Sequence, residues 1–280
     1  MTIEQKTLIH NGKIVFKKAV ILTNYKRVPK FYSENEACFL FVTEGSFRFR
    51  TPTTLLTYNK NEAILAKCGN YFIEQISQNV NSKEEKFSGI GAYFYPEMVR
   101  SFFDTDLLIK DFQNNYDVVK VNVQPLMKSF VESVEFLLDN PSIADENIIL
   151  HKLKELLLIL CKSEKANSIN AFVSSLFEPH EYDFNEIIQK NIYSDLTLED
   201  FAKLCNCSLS TFKRKFLKLY KETPAKYISI KKLEKSIQLL QIKSKPIAEI
   251  AYDCGFETVS NFNRAFKLLF GKTPTEYRLN

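Results

Sequence analysis

The first hundred residues are built from short runs of aromatic and β-branched residues that polar breaks separate, a pattern typical of β-strands. A Glu-Gly-Ser sequence divides two of these runs like a tight hairpin. After it, Phe47 and Phe49 alternate with Arg48 and Arg50. Because successive side chains of a strand point to opposite faces, the two phenylalanines share one face and the two arginines share the other. The pattern predicts an all-β half whose phenylalanines line an interior.

From Pro96 onward the apolar positions change to helical spacing. Pro125 begins one helix, which should end before Asn140. Its apolar face consists of Leu126, Phe130, Val134, Leu137 and Leu138. A second helix, residues 146–161, has a stripe wide enough to contact the β half and also another helix or a partner subunit, which makes it our candidate homodimer surface. That stripe consists of Ile149, Leu153, Leu156, Leu157 and Leu160. Residues 166–182 have weaker periodicity and are predicted to be a linker.

The last hundred residues contain an internal repeat. The segment FAKLC at residues 201–205 corresponds to IAYDC at residues 250–254, a spacing of 49. Six later positions then recur at a spacing of 50: Phe212, Arg214, Phe216, Thr223, Pro224 and Tyr227 correspond to Phe262, Arg264, Phe266, Thr273, Pro274 and Tyr277. The change of spacing indicates that one residue is inserted in the turn of the second copy.

Each copy is predicted to be two helices joined by a tight turn. Asn206 and Gly255 stand at the two turns, where the backbone must become left-handed. Ala202 and Ala251 let the helices cross closely, so the pattern is that of a helix-turn-helix. Between the copies, residues 224–241 form an amphipathic helix about 27 Å long at 1.5 Å per residue. This length suits two second helices that enter major grooves roughly 34 Å apart.

Charge supports a nucleic-acid partner for this part of the chain. Residues 183–280 contain 17 Lys+Arg against 11 Asp+Glu, whereas the remainder has 21 against 22. A basic surplus in one domain is typical of a module that binds phosphate. The sequence lacks a long apolar run and a signal peptide, so we expect a cytoplasmic protein with no membrane segment. Scattered cysteines without C-x-x-C spacing and three distant histidines predict buried thiols, no metal site and no cofactor.

The C-terminal pattern resembles the AraC/XylS family of bacterial transcription regulators over residues 196–278. The resemblance is sharpest at Ile247-Ala248-Glu249-Ile250-Ala251, Gly255-Phe256, Phe262, Arg264, Phe266 and Gly271-Lys272-Thr273-Pro274. It implies a sequence-specific regulator of double-stranded DNA, an activator like most of its relatives, with RNA polymerase as a further partner. It also implies two recognition helices, Leu209–Tyr220 and Val259–Phe270.

The resemblance assigns base contacts to the exposed side of these helices. The candidates are Ser210, Thr211, Lys213 and Arg214 in the first helix, and Val259, Ser260, Asn261, Asn263 and Arg264 in the second. Arg214 and Arg264 can each donate two hydrogen bonds to guanine, and Asn263 can pair with adenine. Thr211 or Val259 can contact a thymine methyl group. Phosphate contacts are expected from Lys215, Lys218 and Lys267, although a surface lysine is as often simply a solvated charge.

The N-terminal half resembles the usual companion in this family, a small cupin-like β-barrel followed by helices that bind an effector or a second subunit. The histidine-bearing metal motif of enzymatic cupins is missing, so a ligand would be a small organic molecule or a protein. Candidate pocket residues are Phe47, Phe49, Tyr71 and Tyr93, for which a plain core role is the alternative.

We therefore expect an α+β protein of two domains. Residues 1–165 form a cupin-like regulatory and dimerisation domain with helices, residues 166–182 a linker, and residues 183–280 an all-α domain with tandem helix-turn-helix units. The expected function is regulation of transcription and not catalysis. A cupin-type enzyme with a DNA-binding appendage is the alternative, and tightly bound stoichiometric metal would identify it. A module that chiefly binds a protein partner is a third reading.

Overall fold

In the computed structural model the described residues are 2–22, 27–29, 36–67, 69, 71–74, 86–103, 118–163, 173, 175–177 and 182–279. The chain divides into two compact units. The first, the N-terminal unit, comprises Met1–Thr51 and Leu55–Glu181, and the second, the C-terminal unit, comprises Pro52–Thr54 and Tyr182–Asn280. Most of the predicted linker, together with Cys68 and His180, lies outside the described residues. The prediction of a sheet domain followed by a helical domain is confirmed.

The N-terminal unit contains antiparallel strands in two sheets. In chain order they are β1 (Thr2–His10), β2 (Lys13–Leu22), β3 (Arg27–Pro29), β4 (Ala37–Glu44), β5 (Ser46–Arg50), β6 (Leu55–Asn59), β7 (Ala63–Ala66), β8 (Phe72–Glu74), β9 (Lys86–Phe94) and β10 (Val118–Val121). One sheet has six strands in the order β1-β2-β9-β4-β7-β10, and the other has four in the order β3-β8-β5-β6. Among the described strands no pair joins the two sheets, so the closed cupin-like barrel is not confirmed.

Gly45 makes the predicted hairpin between β4 and β5. It has a φ of 72°, and a Cβ at this position would press against the carbonyl of Lys86. Both conditions require glycine. Beyond the turn, Phe47 and Phe49 are buried as predicted.

The four candidate pocket residues lie together in one aromatic cluster. The Phe47 ring centroid is 4.7 Å from that of Phe87, and the Phe49 centroid is 5.2 Å from that of Tyr71. Tyr93 packs against the same cluster from its edge. Tyr58 is buried there too, and its hydroxyl has no hydrogen-bond partner in the part of the chain that the structure describes. The cluster is a packed core, and the pocket remains a prediction.

Arg50 is buried, which the simple alternation of the strand does not predict. The residue is only 8% exposed, and its Nε donates to Oε1 of Glu74 at 2.5 Å while an Nη donates to Oε2 at 3.1 Å. Glu74 ends β8, the strand beside β5. The two hydrogen bonds compensate for removing both charges from water, so the arginine does not need solvent.

The helices of the N-terminal unit are α1 (Pro96–Phe103), α2 (Pro125–Asp139) and α3 (Glu146–Ser163), with a 3-10 turn at Pro141–Ile143. The predicted bounds of α2 are confirmed, but Leu126 does not join its apolar face and is 60% exposed. It lies in the first turn, beside a surface cavity of about 240 Å³ that Leu158 also lines. Other lining residues include Gln124, Ile159 and Lys162.

The apolar stripe of α3 is wrong as a candidate dimer surface. All five of its residues are buried inside their own unit, in the core that α3 forms with α2 and the six-stranded sheet. A broad apolar stripe is fully buried when its helix packs against two neighbouring elements of the same chain, so no part of it is left for a partner subunit. The exposed apolar side chains of α3 are instead Ile148 and Leu158.

The C-terminal unit is helical. Its helices are α4 (Phe184–Asn191), α5 (Leu198–Leu204), α6 (Leu209–Tyr220), α7 (Pro224–Leu240), α8 (Ile247–Asp253), α9 (Val259–Phe270) and α10 (Pro274–Leu279). Helices α5 and α6 form the first helix-turn-helix unit, α8 and α9 form the second, and α7 connects them. Proline begins α7 and α10, where its missing N–H leaves no bond unmade.

Candidate DNA interface

The first helix of each copy ends in the same hydrogen-bonded turn. After α5, the N–H of Asn206 donates to the carbonyl of Lys203, and the next N–H donates to the carbonyl of Ala202, each at 3.0 Å. After α8 the N–H of Gly255 and the residue that follows it make the equivalent bonds at 2.8 and 3.0 Å. Asn206 has a φ of 48° and Gly255 a φ of 79°, so both are left-handed as predicted. The internal repeat is a repeat of backbone structure.

The second helix of each copy begins at a hydroxyl side chain. Ser208 caps α6 by accepting a hydrogen bond from the N–H of Thr211 at 3.2 Å, and Thr258 caps α9 through the N–H of Asn261 at 3.1 Å. Such caps satisfy N–H groups that have no partner within the helix. Glu257, which precedes the cap of α9, is the extra residue of the second copy.

Phenylalanines attach both second helices to the unit. Phe212 and Phe216 in α6 are fully buried, with ring centroids 5.7 Å apart. Phe262 and Phe266 in α9 are buried in the same way at 5.6 Å. The observed bounds of α6 and α9 equal the predicted recognition helices. Because each helix buries this one stripe, its opposite face is left to solvent.

Most predicted base-reading residues lie on those free faces. Six side chains are exposed: Ser210, Lys213 and Arg214 in α6, and Ser260, Asn261 and Arg264 in α9. Thr211, Val259 and Asn263 are half-buried. Asn263 is the least available of the nine, because its carbonyl oxygen is buried and has no hydrogen-bond partner among the described residues. These assignments to bases remain predictions.

Arg214 and Arg264 occupy equivalent positions, each two residues after the first buried phenylalanine of its helix. An Nη of Arg264 lies 3.4 Å from Oδ1 of Asn261, a weak contact one turn earlier. Both guanidinium groups are exposed and retain donors for a ligand.

The cations of α6 are not neutralised by neighbouring carboxylates. Within the described part of the chain, Lys213, Arg214, Lys215 and Lys218 form no ion pair. Three lysines elsewhere in the unit do form ion pairs: Lys226 pairs with Glu222 at 2.8 Å, Lys231 with Glu234 at 2.8 Å, and Lys245 with Asp253 at 2.5 Å. The hydrogen bond to Asp253 is the largest cause that raises the pKa of Lys245. These four cations of the first recognition helix are therefore available to bind phosphate.

Of the cysteines near the turns, Cys254 is buried as predicted, whereas Cys205 and Cys207 are half-buried. Burial raises the pKa of Cys205 to about 12 and that of Cys254 to about 11, so both thiols stay protonated at neutral pH. In the described residues no three His, Cys, Asp or Glu side chains are grouped as a metal would require. The same residues include no helix long and apolar enough to span a membrane.

Two features of the unit were not found by sequence reasoning. Helix α4 supports α6: the Phe184 ring lies 5.5 Å from that of Phe212, and the Tyr220 hydroxyl donates to Asn185 at 2.5 Å. Its start was marked by Asp183, which caps the helix through the N–H of Glu186 at 3.0 Å. The other feature is the buried Lys232 of α7. The sequence carries no signal for it, since the adjacent Lys231 is only half-buried and pairs with Glu234.

Two family models match the chain. Residues 201–280 match a helix-turn-helix domain, and residues 37–172 match the N-terminal regulatory domain of ExsA. The second match lies in the sheet-containing unit, for which sequence reasoning had only the weaker resemblance.

Several curated relatives are named as regulators of transcription. The chain is 27% identical over 161 residues to the thermoregulatory protein LcrF of Yersinia pestis, a match that covers 56% of this chain and 58% of LcrF. It is 28% identical over 127 residues to the HTH-type transcriptional regulator ExsA of Pseudomonas aeruginosa, covering 45% and 46% of the two chains. It is 36% identical over 93 residues to the TetD protein of transposon Tn10 from Escherichia coli, covering 33% of this chain and 67% of TetD. The alignment thus spans little more than half of LcrF.

Among solved structures, ToxT of Vibrio cholerae is similar at 17% identity and a TM-score of 0.36, covering 95% of this chain and 98% of ToxT.

Proposed function

The chain belongs to the AraC/XylS family of transcription regulators, and from this membership we propose that it is a sequence-specific, DNA-binding activator. Its two helix-turn-helix units read successive major grooves of one duplex, and the N-terminal unit controls their activity. The observation that carries the proposal is the repeated turn and cap, which places an exposed arginine at the same position of α6 and of α9. A cytoplasmic location is part of the proposal, because the DNA of a bacterial cell lies in its cytoplasm.

Within this proposal the recognition residues divide by chemistry. Arg214 and Arg264 donate to guanine, and the exposed polar residues one turn earlier contact neighbouring bases. Lys215, Lys218 and Lys267 are exposed and bind phosphates, which contributes affinity with little sequence information. Asn263 reads a base only if its half-buried amide turns outward on binding. RNA polymerase is the proposed further partner, because activation needs it.

The N-terminal unit is proposed to be the regulatory and dimerisation domain, with residues 166–182 as the linker. Its two sheets are proposed to belong to a cupin-like β-barrel, and an effector would enter by opening the Phe47, Phe49, Tyr71 and Tyr93 cluster. A homodimer through the 146–161 helix would use the exposed Leu158 of α3 and Leu126 of α2, because the predicted stripe is buried. The match to the regulatory domain of ExsA supports the regulatory role.

Selection from random duplex DNA by the purified full chain tests the function. We expect two conserved blocks whose centres lie about one helical turn, 10 to 10.5 base pairs, apart. Arg264→Ala should lose base choice at a position in one block and Arg214→Ala at a position in the other. Recovery of DNA with no conserved block, with or without the N-terminal unit, would contradict the proposal. Stoichiometric tightly bound metal in the same preparation would favour an enzyme instead.

A further inference from the structure

Lys232 lies where a charged residue is not expected. On α7, Ile228, Lys232, Ser236 and Leu240 follow one another at four-residue steps, which places them on one helical face. All four are buried, and Lys232 is 8% exposed. A buried ammonium group is costly unless hydrogen bonds replace its water, so its contacts explain why it is kept there.

The ammonium group of Lys232 contacts both halves of the C-terminal unit. Its Nζ donates to the carbonyl of Ser194 at 2.6 Å and to the carbonyl of Gly255 at 2.7 Å. Ser194 lies between α4 and α5, just before the first helix-turn-helix unit. Gly255 is the left-handed residue in the turn of the second unit. One side chain of the connecting helix therefore joins the entrance of one unit to the turn of the other.

The backbone segments that Lys232 joins are also in direct contact. A Cβ on Gly255 would lie 2.5 Å from the carbonyl oxygen of Ser194, and closer still to that of Tyr193. One turn along α7, Lys235 donates to the carbonyl of Asp253 at 2.8 Å and lies 4.3 Å from the centroid of the Tyr193 ring. Two lysines of α7 thus meet the carbonyl end of α8, where the helix dipole favours positive charge.

We propose that Lys232 is a positioning residue that sets the separation and the relative angle of the two recognition helices, and so makes the protein select one spacing between its two DNA half-sites. The proposal rests on the proposed function. Adding one base pair between the half-sites turns one against the other by about 35° and shifts it by roughly 3.4 Å. The two helix-turn-helix units are held together at Lys232 and Gly255, so they cannot follow the new half-site spacing without breaking these contacts.

The test measures affinity of the full chain for its selected DNA site, for the same site with one base pair added or removed between the blocks, and for each half-site alone. The wild-type protein should bind the site with one base pair inserted or deleted about 10- to 100-fold more weakly, which is the equivalent of one or two base contacts. Lys232→Met keeps the length of the side chain but has no donor. Its affinity should fall less than about threefold when the spacing changes, while its affinity for each half-site stays unchanged. Lys231→Met is the control: it removes the same charge one residue earlier, from a surface pair with Glu234, and should keep the wild-type spacing profile.

A Lys232→Met protein with the wild-type spacing profile would overturn the proposal. If Lys232→Met also loses affinity for each half-site, the C-terminal unit has unfolded, and Lys232→Arg, which keeps donors on a longer group, is tested in its place. A broadened or displaced optimum of half-site spacing in Lys232→Arg supports the proposal. An unchanged optimum overturns it. Failure of the wild type to select any site would instead defeat the proposed function. Hydrogen exchange in the free protein distinguishes a failure of this proposal from a failure of the proposed function, because it needs no DNA. Lys232→Met should speed exchange at residues 193–196 and 254–256 and leave α6 and α9 protected.

Discussion

The two helix-turn-helix units have the same backbone plan but different surfaces. Their turns, caps and buried phenylalanine pairs lie at equivalent sequence positions and make equivalent contacts. The three lysines of α6, Lys213, Lys215 and Lys218, correspond on α9 to asparagine, alanine and Leu268. Apolar and turn positions therefore specify this fold, while positions that face away from the core are free to diverge. The comparison suggests that the first unit anchors the duplex and the second depends more on direct base contacts.

The start of the first helix also differs between the units. Thr197 and Asp200 form a complete capping box at α5, with bonds of 3.1 Å in each direction. Pro246 stands at the corresponding place before α8 and has no side chain that can cap. The second unit compensates at its other end, where Lys235 of α7 donates to the last carbonyl of α8.

The largest expected effect tests whether the two units depend on each other. Gly255→Ala should lower the free energy of unfolding by about 3 kcal/mol or more, because it adds a backbone clash to left-handed strain. Gly271→Ala is the matched control: its φ is 75°, but a Cβ there meets nothing within 4 Å, so it should cost only about 1 kcal/mol. Urea unfolding of the full chain measures both. Equal losses would mean that the contact with Tyr193 and Ser194 contributes nothing.

The next effect concerns the arginines that the two units share. Arg264→Ala and Arg214→Ala should each weaken binding to the selected site by about 1–3 kcal/mol and relax base choice at one position, in different blocks. Binding titrations against single-base variants of the site measure this. Because the second unit has fewer cations, the loss for Arg264 should be more dependent on sequence than that for Arg214. An arginine whose removal leaves base preference intact is not a reading residue.

The bounds of the two recognition helices followed from the family resemblance, and the observed helices match them. The features of the repeat that carry this resemblance are local, because a phenylalanine pair at four-residue spacing and a left-handed residue each act within one or two turns. The α2 helix was equally clear between Pro125 and Asn140 for the same reason. These features depend on neighbours in the chain and not on the tertiary fold.

What could not be predicted depends on partners distant in sequence. The alternation that places Phe49 correctly says nothing of Glu74, whose strand lies beside Arg50 and allows it to be buried. Lys231 and Lys232 are identical in the sequence, yet one pairs on the surface and the other reaches two carbonyls inside the unit. Likewise, the stripe of α3 predicts burial but cannot say whether the covering surface belongs to the same chain.

A smaller effect tests the difference between the caps. Thr197→Ala should reduce the free energy of unfolding by about 1 kcal/mol, because an N–H of α5 loses its acceptor. Thr197→Ser keeps the hydroxyl and should cost only a few tenths of that amount. Urea denaturation of the three proteins measures the difference. If alanine is tolerated as well as serine, the capping box does not distinguish the two units.

The smallest effect is a change in salt dependence, and it tests the division between anchoring and reading directly. If Lys218 contacts a phosphate, Lys218→Ala should weaken binding to every DNA sequence alike and reduce the slope of log K against log salt by about 0.9. Leu268 holds the equivalent place in α9 and is 88% exposed, so Leu268→Lys should raise the slope by a similar amount without changing base preference. Titrations at several salt concentrations, with selected and unrelated duplexes, measure both. A slope that changes for the added lysine and not for the removed one would reverse the comparison, because it would show that α9 lies nearer the phosphates than α6.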